Sequence, residues 1–437
     1  MDLMSSSLLD AVIALTVVSV ALTLWLWPRL ARRGVLWIMA RLGMILMSQL
    51  SLVLVVALMI NSYGDFYPTW GDLVGGGNQQ VAFGQTTGAN DGNTEVGAGP
   101  NGLITPDATS DLGSFRGLPS GPADQVGETT SVHIHGLRSR ISDHAYVYLP
   151  PQYFQPAYAH TAFPVITSYT GFPGEVETSI DHLHTIQQFA TLVQDGQIQP
   201  TILVVISQDI TEPRDNDCLN LPHGGAQVET LLTTDYVAAM RATYRVAADP
   251  RGWGLEGYSE GGTCALVFAM RYPQLFSVVG DLGGDYADVE DSQTGNLFGP
   301  KGSEARTALM NQYNLGWRLK HLPVPDIQVL LATSMKESDY KATEAFLREV
   351  KAPMSATPAL LKTGGHNFGT WNEEQGPTMI WMSEHMSPPT AQTPPPVNRP
   401  AKPRRTPPAH RPTRPRQPPG HRGDKTAVPS QPGTVNA

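Results

Sequence analysis

The chain has few cysteines and few positive charges for its length. Among 437 residues only Cys218 and Cys264 are cysteines, and their spacing excludes a zinc ribbon or a thioredoxin-like redox pair. The formal net charge is −9, although residues 387–437 carry nine Lys or Arg and one Asp. The rest of the chain is therefore more acidic than the net value suggests. An acidic body argues against nucleic acid as a partner, because phosphate binding needs a basic surface.

Charge is also nearly missing from two long runs near the N-terminus. Residues 11–27 are all apolar or small, and residues 42–60 contain only three polar side chains. Each run is close to the roughly 20 residues that a helix needs to cross the hydrocarbon core. Arg29, Arg32 and Arg33 lie between the runs, which predicts a cytoplasmic loop. We expect residues 1–61 to form a transmembrane hairpin, with all that follows outside the cytoplasm. A cleaved signal peptide fits less well, because no Lys or Arg precedes the first run and a second span follows.

Two further segments do not have the composition of a folded core. Residues 62–128 begin with aromatic residues and continue as a run rich in Gly, Asn and Thr, which predicts a juxtamembrane segment and a flexible linker. Residues 387–437 are rich in Pro and Arg, which predicts a disordered tail with polyproline II character. The basic charge of this tail favours an anionic cell-envelope polymer or lipid headgroups as its partner. A solvated spacer without a partner is the alternative.

Residues 129–386 alternate between β-rich runs and helical patterns. Runs such as SVHIHG, AYVYLPP, PVITSY, TILVVIS and WGLEGYS precede segments with apolar residues at spacings of three and four. Single helices are predicted over residues 176–193, 228–244 and 304–319. The alternation predicts a mostly parallel sheet with helices on both faces, in the manner of an α/β-hydrolase. The first two strands have no helix between them and should form an antiparallel hairpin at one edge.

The candidate nucleophile is Ser259, in the sequence Gly-Tyr-Ser-Glu-Gly. A β-rich run precedes this motif and an apolar helical run follows it. That context is typical of a nucleophile elbow, in which glycines permit a turn too tight for side chains. The helix that follows directs its positive end toward developing negative charge. The alternative is an ordinary Gly/Ser turn between a strand and a helix.

His366 is the candidate base. It lies in Thr-Gly-Gly-His-Asn-Phe-Gly, after the last apolar strand, where hydrolases of this kind carry the catalytic histidine. The pairs His133/His135 and His182/His184 have no carboxylate or thiolate at ligand spacing in the sequence, so no metal site is predicted from them.

The acid of the triad should fall between the nucleophile and the base, at the carboxyl end of a strand. Glu337 and Asp339 follow the strand-like run IQVLLATS and are the first candidates. Asp281 and Asp285 end the preceding strand and are weaker ones.

Two further features are predicted around the nucleophile. The backbone N–H groups of Glu260 and Phe172 should form the oxyanion hole, because one follows the nucleophile and the other lies in a Gly-rich loop after the third strand. Cys218 and Cys264 should form a disulfide, which persists in an oxidising compartment. For this pairing we expect the strand TILVVIS to neighbour the nucleophile strand.

Several of these pieces together resemble the bacterial esterase family that includes esterase D-like enzymes and the antigen 85 mycolyltransferases. The matching stretches are VYLPPQYF, FPVITSYTGFPG, DYVAAMRATYRV, GYSEGG and GGHNFGTW. The resemblance covers roughly residues 129–387 and implies an α/β-hydrolase fold, a Ser–acid–His triad and no cofactor. It also implies Glu337 as the acid, by its position nine residues before the helical Phe346. Thr170-Gly171 replaces the His-Gly of many members, and the elbow differs from that of the mycolyltransferases, which weakens a claim to mycolyl transfer.

Together these features predict a membrane-anchored, extracytoplasmic serine esterase that acts on a small-molecule or lipid ester through an acyl-enzyme at Ser259. An acyltransferase that moves the acyl chain to a sugar or lipid hydroxyl is the alternative. An inactive envelope scaffold is a third possibility, against which the intact Ser259 and His366 count.

Overall fold

The computed structural model describes residues 6–31, 33–64, 102–107, 112–211, 214–222, 224–286 and 294–391. Much of the predicted linker and nearly all of the basic tail lie outside these residues, so the predictions for those parts stay predictions. The helices are α1 (Ser6–Leu26), α2 (Val35–Gly64), α3 (Ala123–Val126), α4 (Pro151–Phe154), α5 (Val176–Asp181), α6 (Thr185–Gln194), α7 (Val228–Thr230), α8 (Tyr236–Thr243), α9 (Glu260–Arg271), α10 (Glu304–Tyr313), α11 (Leu315–His321), α12 (Tyr340–Glu349) and α13 (Phe368–His385).

The strands are β1 (Ile104–Pro106), β2 (Glu128–His135), β3 (Ser142–Leu149), β4 (Thr161–Ala162), β5 (Val165–Tyr169), β6 (Ile202–Ile206), β7 (Trp253–Tyr258), β8 (Val278–Leu282), β9 (Gln328–Ser334), β10 (Ser355–Leu361) and β11 (Thr390–Ala391). Nine of them form one sheet in the order β1-β2-β3-β6-β5-β7-β8-β9-β10. The six strands β6, β5, β7, β8, β9 and β10 run parallel, whereas β1, β2 and β3 are antiparallel to their neighbours. This is the predicted α/β-hydrolase arrangement.

The two N-terminal helices are long and apolar enough, by length and composition, to cross a membrane. They pack against each other as an antiparallel pair. Val12 and Leu58 are buried together near one end, and the Ser19 and Ser51 hydroxyls lie 3.4 Å apart further along. Most of their other large apolar side chains are exposed, which suits a hydrocarbon environment better than water.

The central strands of the large sheet are buried on both faces because helices cover both faces. All residues of β5, β6, β7 and β8 are buried. One apolar core lies under α8 and α9, and a second lies under α6 and α13. The parallel strands place their carboxyl ends at one edge, where loops from different strands can bring reactive side chains together.

The structure corrects several details of the predicted elements. The helix expected over residues 176–193 is two helices, because His184 adopts a left-handed conformation with φ of 52°. The helix expected over residues 304–319 also divides, where the Asn314 side chain accepts a hydrogen bond from the Trp317 N–H at 2.7 Å. The helix expected over residues 228–244 contains a π-helical turn, Leu231–Asp235.

Two expectations about the sheet also differ from the structure. The hairpin β2–β3 is present, but β1 pairs outside β2 and forms the edge. Ile104 of β1 is fully buried, so the folded domain takes in residues assigned to the flexible linker. The prediction that TILVVIS neighbours the nucleophile strand is wrong, since β5 lies between β6 and β7.

Candidate active site

The turn between β7 and α9 holds Ser259 in a backbone conformation that residues other than glycine rarely adopt, with φ of 55° and ψ of −129°. The chain reverses so tightly that a Cβ on Gly257 would collide with the backbone of Gly261. Strain of this kind persists only where the surrounding structure enforces it. Here the Ser259 N–H donates to the Leu282 carbonyl of the neighbouring strand at 2.9 Å. The turn therefore presents the hydroxyl at the carboxyl edge of the sheet.

His366 reaches this hydroxyl from the loop between β10 and α13. Its Nε2 lies 2.7 Å from Ser259 Oγ. The loop is held by side chains of its neighbours: the Gly365 N–H donates to Thr370 Oγ1 at 2.9 Å, and Ser334 Oγ donates to the Gly364 carbonyl at 2.9 Å. The imidazole also packs edge-on against Trp371, with ring centroids 4.9 Å apart. These contacts fix both the position and the tilt of the ring.

Glu337 is the carboxylate that faces the other nitrogen of this imidazole. Its Oε1 lies 3.5 Å from His366 Nδ1. Its Oε2 accepts hydrogen bonds from the Thr333 hydroxyl and from the Ser334 N–H at 3.2 Å. Burial raises the pKa of Glu337, but the hydrogen bonds from His366 and Thr333 outweigh it and hold the pKa below its usual value. The carboxylate is therefore charged where the imidazole needs a counter-ion.

The pKa of His366 is shifted in the opposite direction. Burial lowers it, but the hydrogen bond and the charge of Glu337 raise it above the usual 6.5, and the charges of Asp285 and Asp339 act in the same direction. An imidazole whose cation is stabilised in this way is a stronger base toward the serine proton.

The other candidate acids do not occupy that position. Asp339 is exposed and precedes α12. Asp281 is buried and accepts a hydrogen bond from the Gly284 N–H at 2.8 Å, and burial raises its pKa to about 7. Burial likewise raises the pKa of Asp285, to about 6, with the charge of Asp339 acting in the same direction. These two carboxyls favour the neutral form more than Glu337 does, which makes them weaker counter-ions.

The predicted oxyanion loop passes close to the nucleophile. A Cβ on Gly171 would lie 2.8 Å from Tyr258 Cε2 and 3.1 Å from Ser259 Cβ, so the lack of a side chain lets this backbone approach the nucleophile closely. Phe172 follows directly, and Glu260 begins α9. The backbone N–H groups of these two residues stay the predicted oxyanion donors.

The Glu260 side chain adds a feature that the sequence did not reveal. Burial raises the pKa of this carboxyl well above its usual value, and the negative charges of Asp215, Asp217 and Asp209 raise it further. The neutral acid is therefore favoured. An ionised carboxylate here would oppose the negative charge that develops on the substrate oxygen in acyl transfer.

Cys218 and Cys264 are joined in a disulfide, with Cα atoms 5.8 Å apart. The bond ties the loop after β6 to the helix that leaves Ser259. The two sulfur atoms and the Glu260 carboxylate lie within 4.8 Å of one another, which is the spacing of metal ligands. Because the sulfurs are bonded to each other, they are not thiolates and do not form a metal site.

Comparison with known proteins gives the family of this chain. A sequence model of the family described as "Putative esterase" matches residues 142–374. The chain belongs to this esterase family. An uncharacterized protein of Corynebacterium glutamicum is 26% identical to this chain over 251 residues. The match covers 55% of this chain and 57% of that protein. The chain thus spans little more than half the length of this curated relative.

Solved structures show the same fold as the esterase domain. A ferulic acid esterase is similar with a TM-score of 0.50 at 15% identity, covering 61% of this chain and 100% of that one. An S-formylglutathione hydrolase from Agrobacterium tumefaciens is similar with a TM-score of 0.50 at 15% identity, covering 62% and 98%. The prediction of an α/β-hydrolase of the esterase family is confirmed.

Proposed function

We propose that this chain is a serine esterase that cleaves carboxylic esters through an acyl-enzyme at Ser259. The observation that carries the proposal is the continuous series of contacts from Ser259 Oγ to His366 Nε2, at 2.7 Å, and from His366 Nδ1 to Glu337 Oε1, at 3.5 Å. A nucleophile, a base and an orienting acid in this arrangement are what acyl transfer by serine requires.

The reaction follows from these positions. Ser259 Oγ attacks the ester carbonyl carbon while its proton passes to His366 Nε2. The carbonyl oxygen becomes an anion, which the backbone N–H groups of Glu260 and Phe172 stabilise. The C–O bond to the alcohol then breaks, and His366 returns the proton to the leaving oxygen. Water, deprotonated by His366, attacks the acyl carbon. The bond from that carbon to Ser259 Oγ then breaks, His366 returns the proton to Ser259 Oγ, and the acid leaves. Glu337 stabilises the imidazolium in both halves of the cycle.

An active-site probe tests the nucleophile. A fluorophosphonate should label the full-length wild-type protein and fail to label Ser259→Ala. His366→Ala should lower ester turnover by several orders of magnitude, because triad members act as a unit. The temperature of unfolding serves as the control that each variant is folded. Labelling that persists in Ser259→Ala would place the nucleophile elsewhere.

The acceptor of the acyl group decides between hydrolysis and transfer. The same acyl-enzyme reacts with water in an esterase and with a hydroxyl compound in an acyltransferase. Short-chain and long-chain acyl esters, each assayed with and without a sugar acceptor, separate the two functions. We expect free acid as the main product in every case. Acylated sugar as the main product would instead support an acyltransferase, and no turnover of any ester would support the inactive scaffold.

We further propose that α1 and α2 anchor the enzyme in a membrane with the catalytic domain outside the cytoplasm. The apolar length of both helices and the arginines between them support this orientation. A reporter that is active only in the cytoplasm, fused after Ala437, should be silent. The same reporter fused within the loop between the helices is the positive control. Activity of the reporter at Ala437 would show that the catalytic domain lies in the cytoplasm, the opposite of the proposed topology.

A further inference from the structure

Three histidines lie together at the edge of the large sheet, on strands that contribute nothing to the triad. His133 and His135 alternate in β2 with Val132 and Ile134, which are buried in the core. His144 of β3 is the register partner of His133. Because paired residues on antiparallel strands project to the same side, all three imidazoles share the face opposite that core.

The rings of His133 and His144 lie side by side across the strand pair. Their centroids are 5.5 Å apart. Two imidazoles bound to one tetrahedral zinc ion at about 2.1 Å have centroids about 5 Å apart. The spacing alone does not require a metal, because cross-strand pairs are close in any hairpin.

A carboxylate from a third strand lies between the two imidazoles. Asp107 directly follows β1, and its N–H donates to the Ser131 carbonyl at 2.9 Å. Its Oδ1 is 3.8 Å from His133 Nε2, and its Oδ2 is 3.7 Å from His144 Nε2. These distances are too long for hydrogen bonds. They are close to the roughly 3.4 Å between ligand atoms on one tetrahedral zinc ion. The His133 side chain is 41% exposed and can rotate to close the remaining gap.

The other nitrogen of His144 is oriented as in a metal-binding histidine. Its Nδ1 lies 3.4 Å from Glu177 Oε1. The Tyr146 hydroxyl donates to the same oxygen at 3.1 Å. A carboxylate that accepts a hydrogen bond from Nδ1 keeps the imidazole proton on that nitrogen, so the Nε2 lone pair is available to a metal. Histidine ligands in metal sites commonly have such a carboxylate partner.

The Ser131 hydroxyl allows His144 Nε2 to exchange its present partner for a metal. Ser131 Oγ lies 2.6 Å from that nitrogen and 3.3 Å from Asp107 Oδ2. When a metal takes the nitrogen, the hydroxyl has the carboxylate as a second acceptor. No buried donor is then left without a partner.

We propose that Asp107, His133 and His144 bind a divalent transition-metal ion, for which Zn²⁺ is the probe. Two imidazoles and one carboxylate form a ligand set that zinc accepts, with water in the fourth position. The ion connects β1, β2 and β3, so it stabilises the edge of the sheet. Asp107 lies within 3.8 Å of both His133 and His144, whereas the two nitrogens of His135 have the Thr105 and Ser142 hydroxyls as partners, at 2.8 and 2.9 Å. His135 is therefore outside the ligand set.

Zinc titration of the full-length protein tests this site. The protein is purified in detergent without a polyhistidine tag, stripped with a chelator and titrated with Zn²⁺ by calorimetry. We expect saturable binding of one ion and a higher temperature of unfolding with zinc. Asp107→Asn and His144→Ala should abolish this binding. Glu177→Gln should weaken it about 10- to 100-fold, because it leaves the ligands in place and removes only their support.

His135→Ala is the matched control, since it removes an imidazole from the same strand face without removing a ligand. It should bind zinc as the wild type does. The temperature of unfolding without zinc shows whether each variant is folded, and X-ray absorption at the zinc edge should show two imidazole ligands. The proposal is overturned if the wild type shows no saturable binding, if folded Asp107→Asn and His144→Ala bind as the wild type does, or if His135→Ala weakens binding as much as His144→Ala.

Discussion

Replacing Glu337 by glutamine tests which carboxylate supports the imidazole. The change keeps the volume of the side chain and removes its charge. Two unit charges 3.5 Å apart, the distance from Glu337 Oε1 to His366 Nδ1, interact by about 5 kcal/mol at an effective dielectric constant of about 20. That interaction exists only while His366 carries the serine proton. Losing it should therefore lower kcat/KM by between three and four orders of magnitude, about 3,000-fold.

Asp339→Asn is the control for this substitution. Asp339 is exposed, so solvent and salt screen its charge, and kcat/KM should fall by less than about fivefold. Both variants are assayed for ester hydrolysis, and the temperature of unfolding is compared with that of the wild type. Equal losses in the two variants, or the larger loss in Asp339→Asn, would refute the assignment of Glu337.

Three further outcomes follow from the site. Because Glu337 raises the pKa of His366 above 6.5 and the base must be neutral, kcat/KM should fall as pH drops through a pKa above 6.5. Glu337→Gln should move the acidic limb of the pH profile to lower pH. A limb that does not move would contradict the inference that Glu337 raises the pKa of His366. Glu260→Gln resembles the neutral acid and should keep activity near that of the wild type, whereas a loss above about tenfold would show that the ionised carboxylate is needed. The Cys218–Cys264 bond, with a sequence separation of 46, should stabilise the folded state by about 4 kcal/mol, measured by denaturant unfolding with and without reductant. Free thiols in the unfolded, unreduced protein would disprove the bond.

The fold class and the most local part of the site could be predicted from the amino-acid sequence alone. Alternating strand and helix patterns report which faces are buried, and this information is carried by neighbouring residues. The nucleophile turn was recognisable for the same reason, because Gly257 relieves a collision with Gly261, only four residues further along the chain. The order of nucleophile, acid and base along the chain then restricted where the base could lie.

Features that depend on contacts between distant segments of the chain could be known only from the folded structure. Glu337 and Asp339 are two residues apart, and only the turn after β9 buries one beneath His366 and leaves the other exposed. The order of strands placed β5 between β6 and β7, which no local pattern encodes. His133 showed no ligand partner in the sequence, because Asp107 is 26 residues away and reaches it only when β1 pairs with β2. Contacts of this kind arise from long-range packing, so a sequence pattern read segment by segment does not contain them.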